Sequence, residues 1–231
     1  MSTARYAIYY VPAAEEPLYR FGAAALGYDA YAGADCPYLD GTDATWPALV
    51  REPRVYGFHA TMKPPLRLKD GFGEADFVDA LTAFAGEQAA VDAGPLVVRE
   101  IGSFIAAVPQ RPCAPLNALA GACVTAFDKF RAPMTEQEMS RRLAPGLSER
   151  QIEHLYRWGY PYVFEDFRFH MTLTGSLPTQ KRTAALKFLC AKFEQLQEPP
   201  RLLVDRLVVS RQAKPGAPFT ALHQAALSRA G

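Results

Sequence analysis

Hydrophobic and polar positions alternate every second residue in several short runs of this chain and recur every three to four residues in longer ones, so strands and helices are both expected. RYAIYYVP, residues 5–12, is aromatic and branched, stops at a proline and predicts a first strand. EPLYRFGAAALG predicts a short helix ending at Gly27. Residues 28–53, crowded with Gly, Asp and Pro, predict loop. A strand through YGFHATM follows and ends at Pro64–Pro65, and Phe77, Leu81 and Phe84 then recur at helical spacing. PLVVREIGSFIAAVP predicts a strand, or a hairpin broken near Gly102. PLNALAGACVTAFDKF predicts a helix with proline in its first turn. Met134–Tyr156 predicts further helix, broken at Pro145–Gly146. A second strand around FRFHMTL, a helix TQKRTAALKFLCAKFEQL, a strand RLLVDRLVVSRQA and a last strand FTALHQAAL complete the chain. Strands separated by helices argue for mixed α and β layers.

Two of these strands share a pattern. Phe58-His59-Ala60-Thr61 and Phe169-His170-Met171-Thr172 each place a histidine and a threonine two residues apart. Side chains alternate across a strand, so Phe58, Ala60 and Met62 face a core while His59, Thr61 and Lys63 face the other way. In the second strand Phe169, Met171 and Leu173 face the core, and Arg168, His170, Thr172 and Thr174 point together. The order histidine strand, helix, strand occurs once in each half, which predicts two related lobes packed as one unit.

Imidazole titrates near neutrality, at about 6.5, so two histidines can move protons at physiological pH. One neutral ring takes a proton from an attacking oxygen while a protonated partner gives one to the leaving oxygen. A phosphodiester fits between them. Thr61 and Thr172 hold the phosphate in this reading, and Lys63, Arg168, Thr174 and Tyr56 complete the candidate substrate-binding set. No metal or cofactor is required. A lone strand histidine is ordinarily a hydrogen-bonded structural residue; the repeat of the pattern in two halves is what favours a shared site.

The rest of the composition narrows the choice. The chain has 231 residues, Lys+Arg 25 against Asp+Glu 24, and 49% hydrophobic residues, which allows a sizeable core and argues against stable nucleic-acid binding. Cys36, Cys113, Cys123 and Cys190 are widely spaced and form no zinc or redox motif, consistent with a reducing cytoplasmic setting. No signal-peptide pattern and no apolar run of about 18 residues appears, so no membrane span is expected. His154 and His223 lack a companion threonine and are expected to be packing or surface residues. There is no G-x-x-x-x-G-K-[ST], no G-x-G-x-x-G opening a helix and no G-x-S-x-G, so nucleotide-loop and serine-hydrolase readings have no motif.

The two H-x-T strands, with RYAIYYVP and FRFHMTLTGSLP, resemble the two-histidine (2H) phosphoesterase superfamily, in particular a branch encoded beside carbon–phosphorus lyase genes of phosphonate metabolism. The resemblance implies an α+β fold, bilobal and duplicated, with two antiparallel sheets lining a central cleft and helices outside. It implies a single domain over 1–231, with lobes at about 1–131 and 163–231 and a helical insertion at 132–162. Trp158, Tyr160 and Tyr162 end that insertion and are candidates to stack on a base or sugar. The implied activity is metal-independent hydrolysis of a small cyclic phosphodiester, with His59 and His170 as acid and base. A non-catalytic phosphate-ligand-binding protein and an RNA 2′,3′-cyclic phosphate end-processing enzyme are the alternatives. The expected partner is a small phosphorylated substrate; oligomeric state is left open.

Overall fold

Eight strands form one sheet in the computed structural model of the chain, which describes residues 4–143, 146–196 and 200–228. In spatial order they are β10 (Phe219–Ala226), β9 (Arg206–Gln212), β1 (Arg5–Tyr10), β4 (Ala60–Leu66), β7 (Met171–Thr172), β6 (Phe104–Pro109), β5 (Val91–Ile101) and β8 (Arg201–Val204). All neighbours run antiparallel. β2 (Tyr28–Asp29) and β3 (Ala34–Asp35) form a separate two-stranded ribbon.

The sheet curls. Only Asp205 separates β8, at one edge, from β9 near the other. The ends are tied where Leu227 N–H donates to the Asp205 carbonyl (2.8 Å) and Ala90 N–H to that of Ser228 (2.8 Å). The α+β class is as expected, whereas the two expected sheets are one. The reason is local: β4 and β7 pair at Ala60–Met171, and this contact joins two four-stranded halves. One half joins the two ends of the chain, β1 and β4 with β9 and β10, while the other is built from the internal strands β5 to β8.

Helices α1 (Pro17–Leu26), α2 (Trp46–Arg54), α3 (Glu74–Glu87), α4 (Ala114–Ala126) and α7 (Thr179–Phe193) contribute to one core with the sheet. The strand residues supplying it, Ile8, Tyr10, Ala60, Met62, Ala107, Met171 and Val209, are buried among Phe21, Val50, Phe77, Leu81, Leu119 and Leu189. Each such large apolar side chain contributes about 1.5–3 kcal/mol by leaving water. Phe77 and Leu81 carry the expected helical face into it. On the opposite face Ala7, Tyr9, Val208 and Phe219 form a smaller cluster. Helices α5 (Glu136–Arg142) and α6 (Glu149–Trp158) belong to the segment between the motifs. The expected helix break at Pro145 lies outside the described residues.

Three local expectations are corrected. Residues 46–53, predicted loop, belong to α2; Pro47 sits in its first turn, where no N–H is missed, and Trp46 Nε1 donates to the Ala25 carbonyl (2.8 Å). β4 does not stop at Pro64–Pro65 but runs to Leu66, and its register against β1 shifts there, which accommodates the absent donors. RLLVDRLVVSRQA is two strands, divided at Asp205. The hairpin option for residues 95–109 holds, with Gly102 at φ 57° in the turn. Among the described residues no helix is long and apolar enough to cross a membrane, and the four cysteines are free thiols.

Candidate functional site at the junction of two strands

Ala60 faces Met171 across the β4–β7 junction. Both side chains enter the core, so one residue further along each strand the side chains emerge on the opposite face. Antiparallel register then sets Thr61 across from His170 and His59 across from Thr172. Two motifs more than a hundred residues apart become a four-residue patch. The phenylalanines fix its tilt. Phe58 lies against Gly22 of α1, where a Cβ would come within 2.0 Å of the ring, and Phe169 packs 6.1 Å from Tyr10.

Each imidazole is held in the same way. His59 Nδ1–H donates to the Gly57 carbonyl (2.9 Å) and His170 Nδ1–H to the Arg168 carbonyl (2.7 Å). A carbonyl only accepts, so the proton of each neutral ring resides on Nδ1 and the lone pair on Nε2. The Thr61 hydroxyl lies 3.2 Å from His59 Nε2 and donates to it. Gly57, at φ 71°, adopts a conformation that turns its carbonyl toward the ring, and a Cβ there would meet Ala30 at 2.8 Å. Among the described residues His170 Nε2 has no protein partner.

Electrostatics keep both rings neutral. Burial pushes His59 down to about 4, and the neighbouring His170 pushes the same way, while the Gly57 carbonyl opposes. Burial also lowers His170, against the Arg168 carbonyl. Tyr9 stacks on His59 with ring centroids 3.7 Å apart, and Phe104 lies 5.6 Å from His170. In the unliganded protein these shifts favour the uncharged form of both rings near neutral pH.

His170, Thr61 and Arg168 open onto a cavity of about 500 Å³. Tyr160 and Tyr162, from the segment between the motifs, form part of its wall, as do Phe104 and Phe164. Trp158 instead packs on Phe164, 5.2 Å away. Glu165 and Asp166 also border the cavity, and Arg150 holds Asp166 through two hydrogen bonds of 2.9 and 3.2 Å. Tyr56, half exposed, lies 6.2 Å from His59 and stacks on Phe219 at 5.4 Å.

Two predicted residues lie elsewhere. Between Tyr9–Thr61 and Ile8–Lys63 the register slips by one residue, a bulge that turns Lys63 to the other face. Its ammonium is fully buried, donating to the Val124 carbonyl (2.8 Å) and Asp128 (2.9 Å). Thr174 is buried as well; its hydroxyl accepts from Ile105 N–H (3.0 Å) and donates to the Gly175 carbonyl (3.0 Å). Tyr9 and Phe104 were not legible as site residues, since an aromatic in a strand ordinarily signals core. Among the described residues no group of three or more metal-ligating side chains comes together.

The model of a family described as "Protein of unknown function (DUF1045)" matches residues 61–220, taking in Thr61 and the second motif. The ribose 1,5-bisphosphate phosphokinase PhnN of Janthinobacterium sp. (strain Marseille) is 36% identical over 231 residues, covering 94% of this chain and 49% of that protein. The protein of the same name from Laribacter hongkongensis (strain HLHK9) is 32% identical over 215 residues, 93% of this chain and 50% of that protein. The chain thus spans about half the length of the curated relatives it matches. Both relatives are named as phosphoryl transferases, not hydrolases. That overturns the expectation of a cyclic phosphodiesterase, and with it the RNA end-processing alternative.

Proposed function

The chain belongs to the DUF1045 family of proteins of unknown function, and from that premise we propose that its histidine cleft holds a phosphorylated ribose for phosphoryl transfer onto the sugar. The ligand class comes from the relatives, named for ribose 1,5-bisphosphate. The observation carrying the reading is the paired imidazoles on neighbouring strands, each pinned through Nδ1 to a backbone carbonyl two residues earlier, with His170 and Thr61 on the wall of one cavity.

Phosphoryl transfer to a hydroxyl asks for little covalent work by a protein; it asks for a held acceptor and a place for the proton. A neutral Nε2 takes the hydroxyl proton as the new oxygen–phosphorus bond forms and the donor's leaving group departs. The resulting imidazolium then donates to a phosphate oxygen. Arg168 at the mouth supplies a fixed positive charge, and Tyr160 and Tyr162 an apolar wall for the sugar face. The phosphoryl donor comes from outside this chain, whose sequence has no G-x-x-x-x-G-K-[ST] loop. In this reading the chain is the acceptor side of a phosphokinase.

The two-histidine superfamily supplies the layout of the site under the same proposal, and the link to phosphonate metabolism comes with that resemblance. Calorimetric titration with ribose 1,5-bisphosphate tests it. Saturable one-to-one binding is expected, weakened at least tenfold by His170→Ala or Thr61→Ala. Absence of saturable binding at millimolar ligand, or variants that bind like the wild type, would overturn it.

A further inference from the structure

Beside the histidine cleft lies a second pocket, of about 210 Å³, whose wall includes Arg5, Arg67, Arg131, Arg141 and Arg142 against one carboxylate, Glu138. Glu138 is taken by Arg67 (3.1 Å), and Asp128 holds Arg131 (2.8 Å). Arg5, Arg141 and Arg142 form no ion pair among the described residues. Arg5 donates to Gln212 (2.7 Å) and Arg142 to the carbonyls of Gly159 and Pro65, all neutral groups. Three such guanidiniums around one small space repel each other, and an anion bound among them relieves that repulsion.

The two pockets share a partition. Tyr160 lines the histidine cavity, and the Arg142 guanidinium lies over its ring, 5.9 Å from the centroid. Tyr56 lines the arginine pocket and stands 6.2 Å from the His59 ring. Between them the Tyr9 hydroxyl is buried and, among the described residues, has no hydrogen-bond partner. Burial and then Tyr56 raise this phenol, while Arg5 acts in the opposite sense and Tyr160 adds to the rise. A buried donor without an acceptor is unfavourable. Tyr9 itself lines neither pocket; its phenol lies in the partition between them.

We propose that the arginine pocket is a second phosphate subsite, so that a sugar carrying two phosphates is gripped at both ends, one by the histidine–threonine patch and one by Arg5, Arg141 and Arg142. The inference rests on the reading of the cleft as a phosphorylated-ribose site and adds selectivity for a bisphosphate over a monophosphate. Arginine suits the role because its planar fork takes a phosphate through two parallel hydrogen bonds.

The test follows the arginine Nε–H and histidine ring resonances by NMR during titration with ribose 1,5-bisphosphate, ribose 5-phosphate and inorganic phosphate. The bisphosphate is expected to move both sets and to bind at least tenfold more tightly than the monophosphate. Arg142→Gln should remove that advantage. Arg141→Gln, at an exposed position, checks the same loss without risk to the fold. If the histidines respond to the bisphosphate and the arginines do not, the subsite is refuted and the cleft reading survives. If the arginines respond to inorganic phosphate in the wild type and in His170→Ala while the histidines never respond, the subsite stands and the cleft reading falls. No response of the arginines to any of the three ligands refutes the subsite outright.

Discussion

Tyr9 lies face to face with His59, ring centroids 3.7 Å apart and planes inclined by 26°. The stack excludes water from one side of the imidazole, and burial disfavours its charged form. Replacing Tyr9 with Ala should therefore raise the His59 pKa from about 4 back toward 6.5, the value of an unperturbed ring. An NMR titration of the imidazole reads this directly, and an unchanged low value would assign the shift to another cause.

The same shift sets an acid limit on stability. The folded pKa of His59 is below its unfolded value, so the unfolded chain takes the proton first. The contribution is complete above pH 6.5 and is lost as pH falls toward about 4. Its size is at most about 3 kcal/mol. Urea midpoints measured between pH 7 and pH 4 should decline for the wild type and less for His59→Gln. Ligand binding should respond in the opposite sense. An anion that draws one proton onto the rings binds up to about tenfold more tightly per pH unit of acidification, until its own phosphate group takes up a proton near pH 6.

Lys63 separates structural from functional charge. It is fully buried with Asp128 and the Val124 carbonyl, away from the cleft. Lys63→Met should destabilise the fold by about 3 kcal/mol, because Asp128 loses a buried partner and keeps only Arg131. Ligand affinity per folded molecule should stay within twofold. A stable variant that has lost binding would return Lys63 to the site.

Gly22 carries a packing prediction. A Cβ at this position meets the Phe58 ring at 2.0 Å, so Gly22→Ala must displace the residue that precedes His59. Overpacking of this kind costs about 1–3 kcal/mol. Thermal unfolding should show it, together with a change in the His59 ring resonance that a remote destabilising variant would not produce.

Much of this arrangement is legible in the sequence because strands alternate. Phe58, Ala60, Phe169 and Met171 announce a core face, and that alone turns His59, Thr61, His170 and Thr172 to the other side. What alternation does not reveal is where it slips. Lys63 reads as a fourth member of the line, and a one-residue bulge opposite Ile8 reverses it. Thr174 follows the period too, yet the chain leaves the strand after Thr172 and its hydroxyl caps backbone groups instead. Helix α2 is hidden by Pro47 and Pro53, residues that ordinarily mark loops. Sheet order is invisible locally, since β8 and β9 are adjacent in sequence and remote in the sheet. The arginine pocket is equally hidden, because its members come from β1, the end of β4 and the segment between the motifs.

Whether the two strands build a single site is read most directly by an NMR titration that follows both imidazoles while ribose 1,5-bisphosphate is added. His59 and His170 are expected to shift together, along one saturation curve, with both pKa values rising as the anion settles between them. A ligand that binds while either ring stays at its free position, or rings that saturate at different concentrations, would contradict a single site built from the two strands.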